Sequence, residues 1–140
     1  MKTILVAYDE TEGARRALER GAELAKAFDA KLIVTSVAPL LHSSPRSSGP
    51  VDPTSSLSEH ELELEHAGEF LRGKGVDAEL VPAVGDPADA IVKVSEERAV
   101  DLVIVGTREP GVFERVLHQS VSQGVARHVH RDLLIVHPAH

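Results

Sequence analysis

The chain has 140 residues, a formal net charge of −7 and no cysteine. That is enough length for one hydrophobic core, and the lack of thiols excludes disulfides, thiolate metal sites and a cysteine nucleophile. An acidic chain with 3% aromatic residues has neither the basic face nor the stacking platforms of a general nucleic-acid binder. No apolar run reaches the length of a membrane span and MKTILVAYDE reads as a strand, so a cytoplasmic protein without membrane contact is expected.

Apolar runs rich in β-formers alternate with helix-length segments along the chain. Lys2–Tyr8 reads as a buried first strand. Thr11–Phe28 follows as a helix, with Ala14, Ala17, Leu18, Gly21, Leu24, Ala25 and Phe28 recurring at three and four. Lys31–Val37 is the second strand. The Ser- and Pro-rich stretch 40–56 has no periodicity and is expected to be a flexible loop. A second helix is expected from near Leu57, capped by Ser56 or Ser58, to Gly73–Gly75. Its acidic residues Glu59, Glu61, Glu63, Glu65 and Glu69 read as a solvated face.

Asp77–Ala83 reads as a third strand. Gly85-Asp86-Pro87 supplies a turn, an N-cap and a first-turn proline for a helix over Ala88–Arg98. Asp101–Val105 is the strongest strand signal, Val112–His128 a fourth helix and Asp132–His137 a fifth strand. Strict β/α alternation implies a single α/β domain over 1–140 with a doubly wound parallel sheet, ligands binding beyond the strands' carboxyl ends. The loops after the first and fourth strands, Tyr8–Thr11 and Gly106–Gly111, should meet there.

Strand, glycine turn and helix beginning make an anion site, because free backbone N–H groups and the helix dipole converge on it. GTREPGVFERVLHQSVS at Gly106–Ser122 has that frame. Together with ILVAYDET, GDPADAI, DLVIVGTR and SVSQGVARH, it resembles the universal stress protein family over the whole chain. The resemblance implies a five-stranded sheet in flavodoxin-like order 3-2-1-4-5 with four helices, the adenine nucleotide alpha hydrolase-like arrangement. It also implies a homodimer through the last strand, Leu133–Val136, and ATP or AMP with Mg²⁺ as cofactor in some members.

Carried over by position, Ala7 and Val37 match the lining of the adenine pocket, and Asp9 lies near the ribose and metal-bound phosphates. Gly106 matches the first motif glycine. Ser120 and Val121 match the motif's close, and Thr107, Arg108, Gly111 and Ser122 complete the candidate cofactor-binding set. No metal is expected except Mg²⁺ near Asp9 accompanying a nucleotide.

The motif departs from the family at two glycines. Glu109 stands at the second and Gln119 at the third, with Pro110 removing a further donor. A carboxylate about 4 Å from a phosphate charge is repelled by about 4 kcal/mol at an effective dielectric near 20. Gln119 also places a Cβ where glycine permits close approach. The site is therefore read as degenerate and poor for ATP, in a non-catalytic regulatory protein with an unidentified protein partner. The alternative is an adenine-nucleotide binder using the same cleft, with slow hydrolysis. His128, His130, His137 and His140 have metal-like spacing but read as surface groups. Ser120 lacks a G-x-S-x-G elbow, so no hydrolytic triad is expected.

Overall fold

The computed structural model describes residues 1–38, 53–107 and 121–138. In chain order these form β1 (Thr3–Ala7), α1 (Glu12–Phe28), β2 (Lys31–Ala38), α2 (Pro53–Gly73), β3 (Ala78–Val84), α3 (Pro87–Glu97), β4 (Leu102–Gly106), α4 (Val121–His128) and β5 (Asp132–Val136). The strands make one five-stranded sheet in order β3-β2-β1-β4-β5, every pair parallel. The expected α/β class and strand order both hold. Between β1 and β4 the order reverses, and there the carboxyl ends of two adjacent strands diverge towards different helices.

Side-chain alternation sends each strand's apolar residues to both faces. On one face Ile4, Val6, Leu32, Val34 and Ile104 are fully buried against α1 and α2. On the other, Leu5, Ile33, Val103 and Val105 pack under α3 and α4. The central strands are apolar on both sides because both sides are covered, which is why they read as continuous runs. No buried side-chain nitrogen or oxygen among the described residues lacks a partner.

Local signals set the helix beginnings. Thr11 caps α1, its hydroxyl accepting from the Ala14 amide at 3.2 Å. Asp86 caps α3 from the Asp89 amide at 3.1 Å, with Pro87 opening the helix. The second helix starts earlier than its serine caps indicated: α2 begins at Pro53, so the last four residues of the expected 40–56 loop are helical. Pro53 is the overlooked signal, since proline suits the first helical turn, where its missing N–H costs no bond. The rest of that loop lies outside the described residues, as does the first part of the expected 112–128 helix.

Candidate functional site

Two glycines bring α1 against the end of β4. A Cβ built on Gly106 would stand 2.6 Å from the Ala14 nitrogen and closer still to the Gly13 carbonyl. One built on Gly13 would collide with the Thr107 carbonyl oxygen and lie 3.1 Å from its carbon. The packing is backbone on backbone, so neither position has room for a side chain. Gly106 is the first glycine of the motif, and its bare Cα admits the first turn of α1. Gly13 was read only as part of the helix, because nothing in the local pattern marks a contact made 93 positions away.

The loop between β1 and α1 is held from both sides. Asp9 Oδ1 accepts from the Thr11 amide at 3.1 Å and from the Thr11 hydroxyl at 2.6 Å, an Asx turn that sets up the cap. Glu10 follows with φ 63, the left-handed region uncommon for a residue with a Cβ. Its carboxylate meets His66 Nδ1 of α2 at 2.5 Å. The Glu10 carboxylate, joined by Glu69 and Glu65 of α2, raises the His66 pKa above the ordinary imidazole value.

A second polar knot lies beside it on the α1/α2 face. The Ser36 hydroxyl, on a residue 1% exposed, donates to Glu63 Oε2 at 2.8 Å, and His60 Nδ1 lies 2.8 Å from Ser36 Oγ and 3.1 Å from Glu63. Since the serine proton already goes to the carboxylate, Nδ1 carries the ring proton and donates. A nucleophilic serine needs the opposite flow, from hydroxyl to ring nitrogen, so this knot fastens α2 to β2 instead. Glu63 therefore does not belong to the solvated face expected of it. Burial pushes the Tyr8 hydroxyl above its usual pKa, against the pull of its hydrogen bond to Arg15.

The opposite face is lined differently. Ala7 and Val37, at the carboxyl ends of adjacent strands, are both half-buried and pack on the α3/α4 core with Ala83 and Ala88. Thr107 continues the ladder past β4, its N–H donating to the Val136 carbonyl at 2.9 Å. Its hydroxyl lies 3.3 Å from His137 Nδ1. Ala7, Val37 and Gly106 thus lie at or near the carboxyl ends of β1, β2 and β4, and Asp9 and Thr107 follow β1 and β4. Val121 and Ser122 lie at the described beginning of α4, and Arg108, Gly111 and Ser120 lie outside the described residues, as do Glu109, Pro110, Gln119 and His140. Among the described residues no group of three His, Asp or Glu could hold a metal ion, and no helix is long and apolar enough to cross a membrane.

The universal stress protein family model matches residues 1–137. The chain belongs to the universal stress protein family. It is 33% identical over 142 residues to universal stress protein Rv1636 of Mycobacterium tuberculosis, covering 97% of this chain and 96% of that one. Universal stress protein YxiE of Bacillus subtilis is 30% identical over 152 residues, covering 95% and 97% respectively. A crystal structure of a universal stress protein in complex with cAMP superposes with a TM-score of 0.75 at 29% identity, over 99% of this chain and 98% of the other. In this universal stress protein the sheet order reverses between β1 and β4. Ala7, Val37 and Gly106 lie at or near the carboxyl ends of β1, β2 and β4, with Asp9 and Thr107 just beyond, while the Glu10–His66 and Ser36–His60–Glu63 contacts fasten α2 on the other face.

Proposed function

We propose that this universal stress protein is a non-catalytic regulatory protein whose cleft takes an adenine nucleoside monophosphate in preference to Mg-ATP. The observation that carries this is that Ala7 and Val37 share the α3/α4 face near the carboxyl ends of β1 and β2. These are two small apolar side chains, half-buried near the ends of neighbouring strands, the kind of lining that a flat base takes. A universal stress protein of similar fold, 29% identical, holds cAMP. Against a triphosphate stand Glu109, a carboxylate at the motif's second glycine position, and Pro110 after it, which has no N–H to donate. Mg²⁺ near Asp9 belongs to the competing reading, in which ATP is the ligand.

Calorimetry with AMP, cAMP and ATP, each with and without Mg²⁺, is the test. AMP and cAMP binding more tightly than Mg-ATP is the expected order. Mg-ATP binding at least as tightly as AMP would overturn the proposal and favour the ATP reading.

The same protein is proposed to form a homodimer through Leu133–Val136, in the cytoplasm, and to act on an unidentified protein partner. Support comes from the unequal edges of the sheet. The β3 edge carries Pro82, which offers no N–H, and Glu79, which pairs with Lys31 at 2.8 Å and with Arg98. Proline and charge blunt an edge. The β5 edge carries DLLIV, with Leu133, Leu134 and Ile135 only part-buried, and invites a second copy across a twofold axis. Ile135→Lys should yield a monomer by light scattering, and a monomeric unmodified protein at micromolar concentration would refute the dimer.

A further inference from the structure

An open groove runs between α1 and β5, its walls including Arg16, Arg20, Leu134, Val136 and His137. Arg16 Nε donates to the His137 carbonyl at 3.0 Å, which keeps its guanidinium beside the end of β5. Arg20, one turn further along α1, pairs with Glu23 in an exposed contact at 2.7 Å. Leu134 and Val136 pack on the α1 side of the sheet, Leu133 and Ile135 on the α3/α4 side. Alternation puts Asp132 on the α1 side with Leu134 and Val136. Its side chain is exposed and makes no hydrogen bond or ion pair among the described residues. The three part-buried residues of β5 are centred on Leu134. A twofold axis at that residue pairs Leu133 with Ile135 of a second copy and covers all three together. In the same register Asp132 of the second copy stands opposite Val136. Opposed residues of an antiparallel pair project to the same face with Cβ atoms about 5 Å apart.

We infer that the α1/β5 groove is one half of a dimer contact, completed when Asp132 of a second copy enters it and pairs with Arg16. The inference rests on the Leu133–Val136 dimer proposed above and adds its register and its charged contact. Twofold symmetry makes the contact twice, Asp132 of each copy meeting Arg16 of the other. Arg20 adds positive potential along the same wall of the groove. In a chain of net charge −7, this groove supplies the positive counterpart that a second acidic copy needs. Exposed ion pairs contribute modestly to affinity, but the arrangement of charge across an edge selects which register forms.

Sedimentation equilibrium of the unmodified protein, Asp132→Arg, Arg16→Asp and an equimolar mixture of the two variants decides it. Each variant alone sets like charges together at both contacts and should dimerise about tenfold more weakly. In the mixed dimer both contacts again join opposite charges, so the mixture should recover dimer affinity to within about threefold of the unmodified protein. Damage to the fold of either variant would not be repaired by mixing. A mixture as weak as its components therefore overturns the inference, as does a single variant that dimerises like the unmodified protein. Ile135→Lys separates this contact from the dimer itself. If Ile135→Lys is monomeric while the charge variants are unaffected, the Leu133–Val136 dimer stands and only the Asp132–Arg16 contact fails. If the unmodified protein is monomeric at micromolar concentration, the proposed dimer fails and this inference with it.

Discussion

The two faces of the sheet end differently at the carboxyl side. On the α1/α2 face, Tyr8 and Ser36 are buried, Gly13 and Gly106 touch backbone to backbone, and Glu10–His66 and Ser36–His60–Glu63 fasten α2 down. On the α3/α4 face, the same strands end in Ala7 and Val37, half-buried. Neighbouring residues thus serve opposite faces: Tyr8, just past β1, is buried on one side while the small Ala7 packs half-buried on the other. The lesson is that fixing a ligand face requires the reverse face to be filled and polar-bonded, because a switch-point loop anchored on neither side would not hold a site.

The contrast can be probed through the mouth of the open face first. If only the departures from the motif exclude the triphosphate, Glu109→Gly with Pro110→Gly and Gln119→Gly should raise Mg-ATP affinity on the order of a hundredfold. Calorimetry checks it. No gain would locate the obstacle elsewhere, at the Ala7–Val37 pocket.

On the closed face the largest effect is expected at Gly106. Gly106→Ala drives a methyl into the Gly13 backbone, and overpacking against atoms that cannot rotate away should cost about 2–3 kcal/mol in urea unfolding. A phosphate-contact role alone would leave stability unchanged and reduce binding only. Ala7→Leu makes the opposite test: it fills the open face, so AMP affinity should fall at least about tenfold, or 1.4 kcal/mol, while the unfolding midpoint stays near that of the unmodified protein.

Smaller effects separate the two polar fastenings. Ser36→Ala removes the donor to Glu63 and should cost about 1 kcal/mol without altering nucleotide affinity. His66 should give the smallest change and the only one with a pH signature. Its pKa is raised in the fold by Glu10, so its stabilising contribution is complete below the unfolded value of about 6.5 and is lost as pH rises through the folded value. Unfolding curves of the unmodified protein and His66→Gln should therefore differ most at acidic pH and converge above neutrality. A constant difference across the range would show that the bond contributes without titrating.

Much of this architecture is written locally. The β/α alternation, the Thr11 and Asp86 caps and the apolar runs of the central strands each follow from neighbours a few residues apart, and the strand order followed from the family motifs. The α2 start shows how a local signal is overlooked when a stronger compositional one surrounds it: Pro53 stands at the end of a Ser/Pro tract that reads as loop. The family resemblance likewise pointed to Ala7, Val37 and Gly106, which stand at or near strand ends, and to Asp9 just after β1.

Other features depended on contacts between residues distant in sequence. Gly13 sits unremarked in a helix until β4 arrives beside it, 93 positions later. Glu63 has the spacing of a solvated face, yet it bonds Ser36 because α2 lies over β2. His137 belongs by spacing to a histidine-rich tail and by structure to Thr107. Periodicity reports which side of an element faces inward, and a short motif reports backbone shape. Neither reports which polar side chains meet across elements, and that is where the polar fastenings of this protein were decided.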